Sequence, residues 1–191
     1  MKAIARLSDW LFNPPHDGPP ATILLRLMAG GVFVSEGILK FAYASLGVGR
    51  FSLLGFPMPR LTASVIGAWE IIGGALVMVG LLTRGVAILF AIEMVVAVLS
   101  TKIGLYLGTS PLPLPSAPPQ VGLWAVLHES RSDWAQLLTS LYLVIAGPGL
   151  LSLDARLQGA RARAAGGQSH PGLSEPLAEP SNAPPITPPP S

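Results

Sequence analysis

The feature that most constrains this chain is a carboxylate in the middle of a long apolar segment. Glu70 lies near the centre of residues 61–82, and Glu93 lies near the centre of the next apolar segment, residues 84–107. Each segment is long enough, at ~1.5 Å per residue, to cross the ~30 Å hydrocarbon core of a membrane. A charged side chain at that depth costs about 2.5–3.5 kcal/mol on insertion scales. We therefore expect both carboxylates to face a protein interior and to have a function.

The composition supports a membrane protein built from several spans. Only 12% of the 191 residues are charged and 50% are hydrophobic, whereas soluble domains carry about 25% charged residues. Two further apolar segments, residues 21–41 and 133–151, complete an all-α fold: an integral membrane four-helix bundle in residues 21–157. Residues 1–20 precede it, and residues 158–191, rich in Pro and Ser, are predicted to form a disordered tail.

The number and spacing of the spans predict the topology. Four spans place both termini on one side of the membrane, and a slight excess of Lys and Arg favours the cytoplasm for that side. The short connection at residues 82–85 predicts that the second and third spans form an antiparallel hairpin. The two long connections, rich in Gly and Pro, then lie together on the opposite side.

Several kinds of chemistry are excluded by residue counts. The sequence contains no cysteine, so disulfides, thiolate metal sites and iron–sulfur ligation are excluded. Its three histidines are His16, His128 and His170, and because none lies in a predicted span, a buried bis-histidine haem is excluded as well. No metal site and no covalently bound cofactor are predicted. The net charge of +2 is too small to favour nucleic-acid binding.

Small residues indicate which way the buried charges point. A helix turns ~100° per residue, so Gly67 and Gly74 lie on the same side of the second span as Glu70, and Gly30 lies near Arg26 on the first. Faces of small residues are the places where membrane helices pack closely. The pattern therefore predicts that these charges lie inside the bundle.

The interior charges suggest both a pairing and a role. Arg26 has no acidic residue three or four positions away in its own helix, so we expect it to pair with Glu70, with Glu93 as the alternative partner. Arg26, Glu70 and Glu93 are the predicted catalytic residues, with the two acids handling protons. The alternative is purely structural, as is expected for Glu36 and Lys40 at i, i+4.

A second polar cluster is predicted where the helices meet the long loops. Its members are Lys40, Arg50, Lys102, His128, Glu129, Arg131 and Asp133. Such a cluster suits an anion or a quinone head group. The alternative is that these are solvated loop charges, with Asp133 capping the N-terminus of the fourth span.

Ordered motifs over residues 22–157 resemble the DoxX family of small bacterial membrane proteins. These motifs are Leu25-Arg26-Leu27 to Gly37-Ile38-Leu39-Lys40-Phe41, Gly49-Arg50-Phe51, Gly55-Phe56-Pro57, Trp69-Glu70-Ile71-Ile72-Gly73-Gly74, Gly80-Leu81-Leu82-Thr83-Arg84, Ser100-Thr101-Lys102, His128-Glu129-Ser130-Arg131-Ser132-Asp133, and Gly147-Pro148-Gly149-Leu150-Leu151-Ser152-Leu153-Asp154. Ser132 stands where the family pattern leads us to expect Thr.

The resemblance implies a multi-pass protein of the bacterial inner membrane in contact with the lipid bilayer. Relatives in that family include subunits of quinone-linked complexes that oxidise thiosulfate or thiols, or that act under oxidative stress. The resemblance therefore implies a membrane subunit of such a complex, with quinone as cofactor, soluble or membrane redox proteins as partners, and a homo-oligomer as one arrangement. The alternatives are a transporter of small solutes or protons, and a non-catalytic scaffold.

Overall fold

A computed structural model describes residues 6, 10, 11 and 18–166, and within them the chain is helical and contains no strand. The helices are α1 (Thr22–Ala42), α2 (Val48–Leu53), α3 (Pro59–Val79), α4 (Thr83–Leu107), α5 (Leu123–Glu129), α6 (Arg131–Ala146) and α7 (Leu153–Gly166). Among the described residues, α1, α3 and α4 are long and apolar enough to cross a membrane. The prediction of an all-α membrane bundle is confirmed.

Helix ends follow local signals that the predicted boundaries missed by a few residues. Helix α3 begins with Pro59 at its first turn and ends at Val79, because Gly80 adopts a left-handed conformation with φ 73°. Helix α6 ends at Ala146 because Gly147 has φ 78° and Pro148 lacks a backbone N–H donor. The fourth predicted span, residues 133–151, therefore extends beyond its helix.

The fourth predicted span is preceded by α5, a helix that the sequence pattern did not indicate. Residues 122–146 run antiparallel to α4: Gly122 N–H donates to Leu105 O at one end, and the Arg84 guanidinium donates to Ile145 O at the other. Ser130 separates α5 from α6. Because the residues around Ser130 are polar, the sequence pattern did not indicate that a helix precedes this break.

Two closely packed helix pairs make up the bundle. Helix α1 packs mainly on α3, and α4 packs mainly on α6. A Cβ at Gly30 would lie 2.5 Å from the carbonyl oxygen of Gly74, and one at Gly37 would lie 2.6 Å from that of Gly67. Only glycine permits this approach, so the predicted small-residue faces do form the α1–α3 interface. The predicted turn between α3 and α4 is present, but each helix packs mainly on another partner.

The two pairs are joined by an apolar centre. The Phe33 and Phe90 rings stack with centroids 3.6 Å apart and an interplanar angle of 7°. Val77, Ala87 and Leu143 surround them and are also buried. This cluster links α1, α3, α4 and α6, and it lies toward the end of the bundle where α3 and α6 end and α4 begins.

Polar contacts fix one end of the bundle, here called the terminal side, formed by residues 80–84 and 147–154. Buried Arg26 donates to the carbonyl oxygens of Val77 (3.0 Å), Met78 (2.8 Å), Pro148 (3.0 Å) and Leu151 (2.7 Å). It therefore ties the end of α3 to the loop after α6. The predicted pairing of Arg26 with Glu70 is wrong, because backbone carbonyls freed at the end of α3 and in this loop occupy its donors.

Asp154 closes the same end from the start of α7. Its carboxylate accepts hydrogen bonds from the N–H groups of Leu82 (3.1 Å) and Thr83 (3.3 Å) at the beginning of α4. Helix α7 then continues to Gly166, so the tail does not begin at residue 158 as predicted. Ala and Arg between residues 158 and 165 favour helix. Residues 167–191 and most of the N-terminal segment lie outside the described residues.

Candidate functional site

A cavity of about 430 Å³ lies between the two helix pairs, at the end opposite the terminal side. We call this end the long-loop side; it is formed by residues 43–58 and 108–130. Part of the cavity wall is apolar and aromatic, and part carries charged side chains from both predicted clusters. The cavity therefore unites the interior acids with the loop-side cations, which the sequence had suggested as two separate sites.

The deepest ion pair joins α1 to α3. The Lys40 ammonium lies 2.8 Å from Glu70 Oε1 and 2.7 Å from Oε2, so it contacts both oxygens. The Glu70 side chain is 3% exposed, as the glycines on its helix face predicted. Lys40, rather than Arg26, is the base that makes burial of this carboxylate tolerable.

Glu93 brings a second carboxyl group to the same place from α4. It lies within hydrogen-bonding reach of the Glu70 carboxyl group and beside the Trp69 indole. Its Oε2 atom is buried and has no hydrogen-bond partner among the described residues. The two interior acids therefore lie together, a contact that the sequence did not predict, and one oxygen atom of Glu93 has no partner among the described residues.

A second ion pair lies nearer the long loops and joins α4 to α6. Lys102 Nζ lies 3.1 Å from Asp133 Oδ2 and donates to the backbone carbonyl of Glu129 at 2.9 Å. Asp133 makes no side-chain cap, because Ser130 occupies the N-cap position of α6. The expectation that Asp133 caps this helix is wrong, and its carboxylate serves the ion pair instead.

Helix α2 contributes a cation and aromatic rings to the cavity wall. Arg50 lines the cavity and is half-buried, and within residues 18–166 no hydrogen bond or ion pair engages its guanidinium. Phe51 on the same helix and Phe56 just beyond it also line the cavity, with ring centroids 5.3 Å apart. A free guanidinium beside aromatic rings suits a flat ligand that carries acceptor oxygens.

Three of the predicted site residues lie elsewhere. Arg26 belongs to the terminal side, and its 14-residue separation from Lys40 along α1 corresponds to roughly 20 Å. His128 is exposed beside Trp124 in a separate surface depression, and Arg131 is exposed at the start of α6. The structure brings together Glu70, Glu93, Lys40, Arg50, Lys102, Glu129 and Asp133.

Some lining residues were missed by the sequence interpretation. Glu36 lines the cavity from α1, with its Oε2 atom 4.0 Å from Lys40 Nζ. Gln136 donates to Ala29 O at 3.2 Å, while its buried Oε1 atom has no partner among the described residues. The signal overlooked was that an uncharged polar side chain within a membrane-spanning segment also tends to face the interior of the bundle.

Histidine and carboxylate side chains do not assemble a metal centre in the described part of the chain. No group of three or more such residues there has the arrangement of metal ligands. The polar groups of the cavity instead alternate in charge, with each lysine beside a carboxylate. This arrangement is suited to binding acceptor oxygens and exchanging protons.

Comparison with known proteins places the chain in a family. The sequence pattern named DoxX matches residues 21–103. "Uncharacterized membrane protein Rv3486" of Mycobacterium tuberculosis is 42% identical over 147 residues, which cover 74% of this chain and 83% of that protein. "Putative oxidoreductase CatD" of Bacillus subtilis is 33% identical over 133 residues, covering 70% and 84%. No solved structure matches the chain.

The matched region contains most of the cavity. Residues 21–103 include α1, α3 and nearly all of α4, and therefore Lys40, Glu70, Glu93 and Lys102. The longer match to the mycobacterial relative covers most of the chain. The protein belongs to the DoxX family of membrane proteins.

Proposed function

We propose that this protein is the membrane subunit of a quinone-linked oxidoreductase complex, and that its cavity receives the quinone head group. The observation that carries the proposal is the pairing of Glu70 and Glu93 at the base of a cavity that also has aromatic walls and an unengaged guanidinium. The name of the Bacillus subtilis relative, an oxidoreductase, supports the same class of activity.

The residues present fit such a ligand. A quinone head group is flat and apolar, with carbonyl oxygens at opposite edges. Phe51 and Phe56 offer ring surfaces, and Arg50 offers unused N–H donors. At the base, Glu93 has a buried oxygen without a partner among the described residues, and in the protonated carboxyl form this group would donate its O–H to a carbonyl oxygen of the head group. These groups would hold a head group by its faces and its oxygens.

The chain's own contribution to the chemistry is the handling of protons. A quinone supplies electron-accepting chemistry when bound, and its reduction to quinol consumes protons together with electrons. The Glu70 and Glu93 carboxyl groups are close enough to pass a proton between them. Lys40 balances the charge of Glu70 by contacting both of its oxygens. The electrons come, in this proposal, from the cofactor of a partner protein, because the sequence has no cysteine ligands for a redox metal.

Two further parts of the proposal concern substrate and location. The ultimate electron donor is proposed to be thiosulfate or a thiol, oxidised by the partner. The protein is proposed to lie in the bacterial inner membrane with its termini in the cytoplasm.

The test is the quinone content of the purified protein. We would purify it in a mild detergent, extract bound quinones and quantify them by chromatography and mass spectrometry. Ala97 lines the cavity, so Ala97→Phe is expected to fill it and abolish the bound quinone. Ala75 is exposed on α3, so Ala75→Phe is the matched control and should retain it.

Two results would overturn this proposal. The first is a wild-type protein that carries no quinone and does not take one up when it is added. The second is a quinone content that Ala97→Phe leaves unchanged, because that result would place the quinone among the surrounding lipids.

A further inference from the structure

The charged groups of the cavity become progressively less exposed from α1 inward. The Glu36 side chain is 53% exposed, Lys40 is 13% exposed and Glu70 is 3% exposed. Lys40 Nζ lies 4.0 Å from Glu36 Oε2 and 2.7 Å from Glu70 Oε2, and Glu93 lies within hydrogen-bonding reach beyond Glu70. Titratable groups therefore run without a long gap from the surface to the base of the cavity.

The opposite direction is closed by apolar packing. Beyond the carboxyl pair lies the stacked pair of Phe33 and Phe90, with Val77, Ala87 and Leu143 around it. None of these side chains titrates, and each is 2% exposed or less. The next charged group on the terminal side is Arg26, which contacts α3 at Met78 O, about 12 Å along the helix from Glu70.

We infer that the cavity is reached by water from the long-loop side alone, through the opening beside Glu36 and Lys40. A densely packed apolar region leaves no room for water and offers it no hydrogen-bond partners, so it stays dry. The cluster around Phe33 and Phe90 therefore acts as a barrier between the carboxyl pair and the terminal side. Glu36, which the sequence suggested as a structural partner of Lys40, is the group at which protons enter and leave.

The inference about water access concerns the empty protein and holds whether or not a quinone binds. Its consequence for the reaction rests on the proposed function: protons consumed at the cavity would come from the long-loop side. A one-sided cavity also differs from a solute pathway, which must open to each side in turn.

The absence of native cysteine makes the test direct, because any introduced cysteine is the only thiol. We would replace Ala97, which lines the cavity, by cysteine and place the protein in vesicles of known orientation. A thiol reagent that cannot cross membranes is then added to one side or the other. Thr109→Cys, exposed on the long-loop side, and Gly159→Cys, exposed on α7, are the two sidedness controls.

The expected result is that Ala97→Cys reacts with reagent on the same side as Thr109→Cys and is unreactive from the side of Gly159→Cys. Labelling after denaturation verifies that the thiol is intact. Reaction from the Gly159 side, or from neither side, would overturn the inference. Because no quinone is needed, failure here is distinguishable from failure of the quinone-content experiment.

Discussion

The ion pair between Lys40 and Glu70 should be measurable as an energetic coupling that Arg26 does not share. Glu70→Gln keeps the side-chain shape and leaves the Lys40 ammonium without its anion. Removing one partner of a fully buried ion pair costs about 3–5 kcal/mol, whereas an exposed pair contributes about 0.2–1 kcal/mol. Lys40 keeps 13% exposure and has Glu36 at 4.0 Å, so we expect an intermediate loss of about 2 kcal/mol for Glu70→Gln.

A double-mutant cycle distinguishes the Lys40–Glu70 pair from the Arg26–Glu70 pair that the sequence suggested. Lys40→Met combined with Glu70→Gln removes both charges. The double variant should lose about 1–2 kcal/mol less free energy of unfolding than the two single variants lose together. Arg26→Gln will be destabilising because four carbonyl oxygens lose their donor. Its effect should nevertheless add to that of Glu70→Gln within about 0.5 kcal/mol, since the groups are far apart.

Unfolding in mixtures of mild detergent and dodecyl sulfate, followed by circular dichroism, gives the required free energies. A Glu70→Gln variant that is as stable as wild type, beside a destabilised Lys40→Met variant, would refute the coupling of Lys40 and Glu70. A stronger coupling between Arg26 and Glu70 would refute it as well.

Three further predictions test the packing, the terminal side and the topology. Gly30→Ala should lower the free energy of unfolding by about 1–3 kcal/mol, because its Cβ would push α1 away from Gly74. Gly31→Ala, with nothing within 4 Å of its Cβ, should be neutral or stabilising in the same unfolding assay. Asp154→Ala should cost about 1 kcal/mol by uncapping α4, while Asp154→Asn retains an acceptor and most of the stability. Reporter fusions after residues 84 and 115 should mark opposite sides of the membrane, and reports from the same side would contradict the topology.

Much of the fold could be predicted from the sequence because membrane insertion imposes strong local rules. Apolar length located α1, α3 and α4, and glycine placement identified the buried face of α3 that carries Glu70. Helix α5 was missed because residues 128–131 are polar, and only the contacts with α4 show that the helical segment begins before Arg131.

The site was harder to predict because charge pairing depends on depth as well as on helix face. Arg26 and Lys40 lie on similar faces of α1, and both were plausible partners for Glu70. Lys40 is the partner because it lies at the depth of Glu70, whereas Arg26 lies beside the free backbone carbonyls near Gly80 and Pro148. The pattern of side chains in the sequence does not show where such carbonyls are. Glu36 was misjudged for a related reason: spacing within one helix predicted its contact with Lys40, but not the cavity beside it.

The uneven distribution of polar contacts between the two ends of the bundle has a mechanical consequence. On the terminal side, Arg26 and Asp154 bind the backbone at the end of α3, at the start of α4 and in the loop after α6. That end of the bundle is therefore held in place. At the other end, the two helix pairs face each other across the cavity, and the ion pairs there, Lys40–Glu70 and Lys102–Asp133, each lie within one pair. Movement that admits a bulky molecule should therefore be a spreading of the two helix pairs, by a distance that increases from the terminal side toward the long-loop side. Hydrogen exchange should record that spreading as faster at the outer turns of α1 and α4 than at their inner turns.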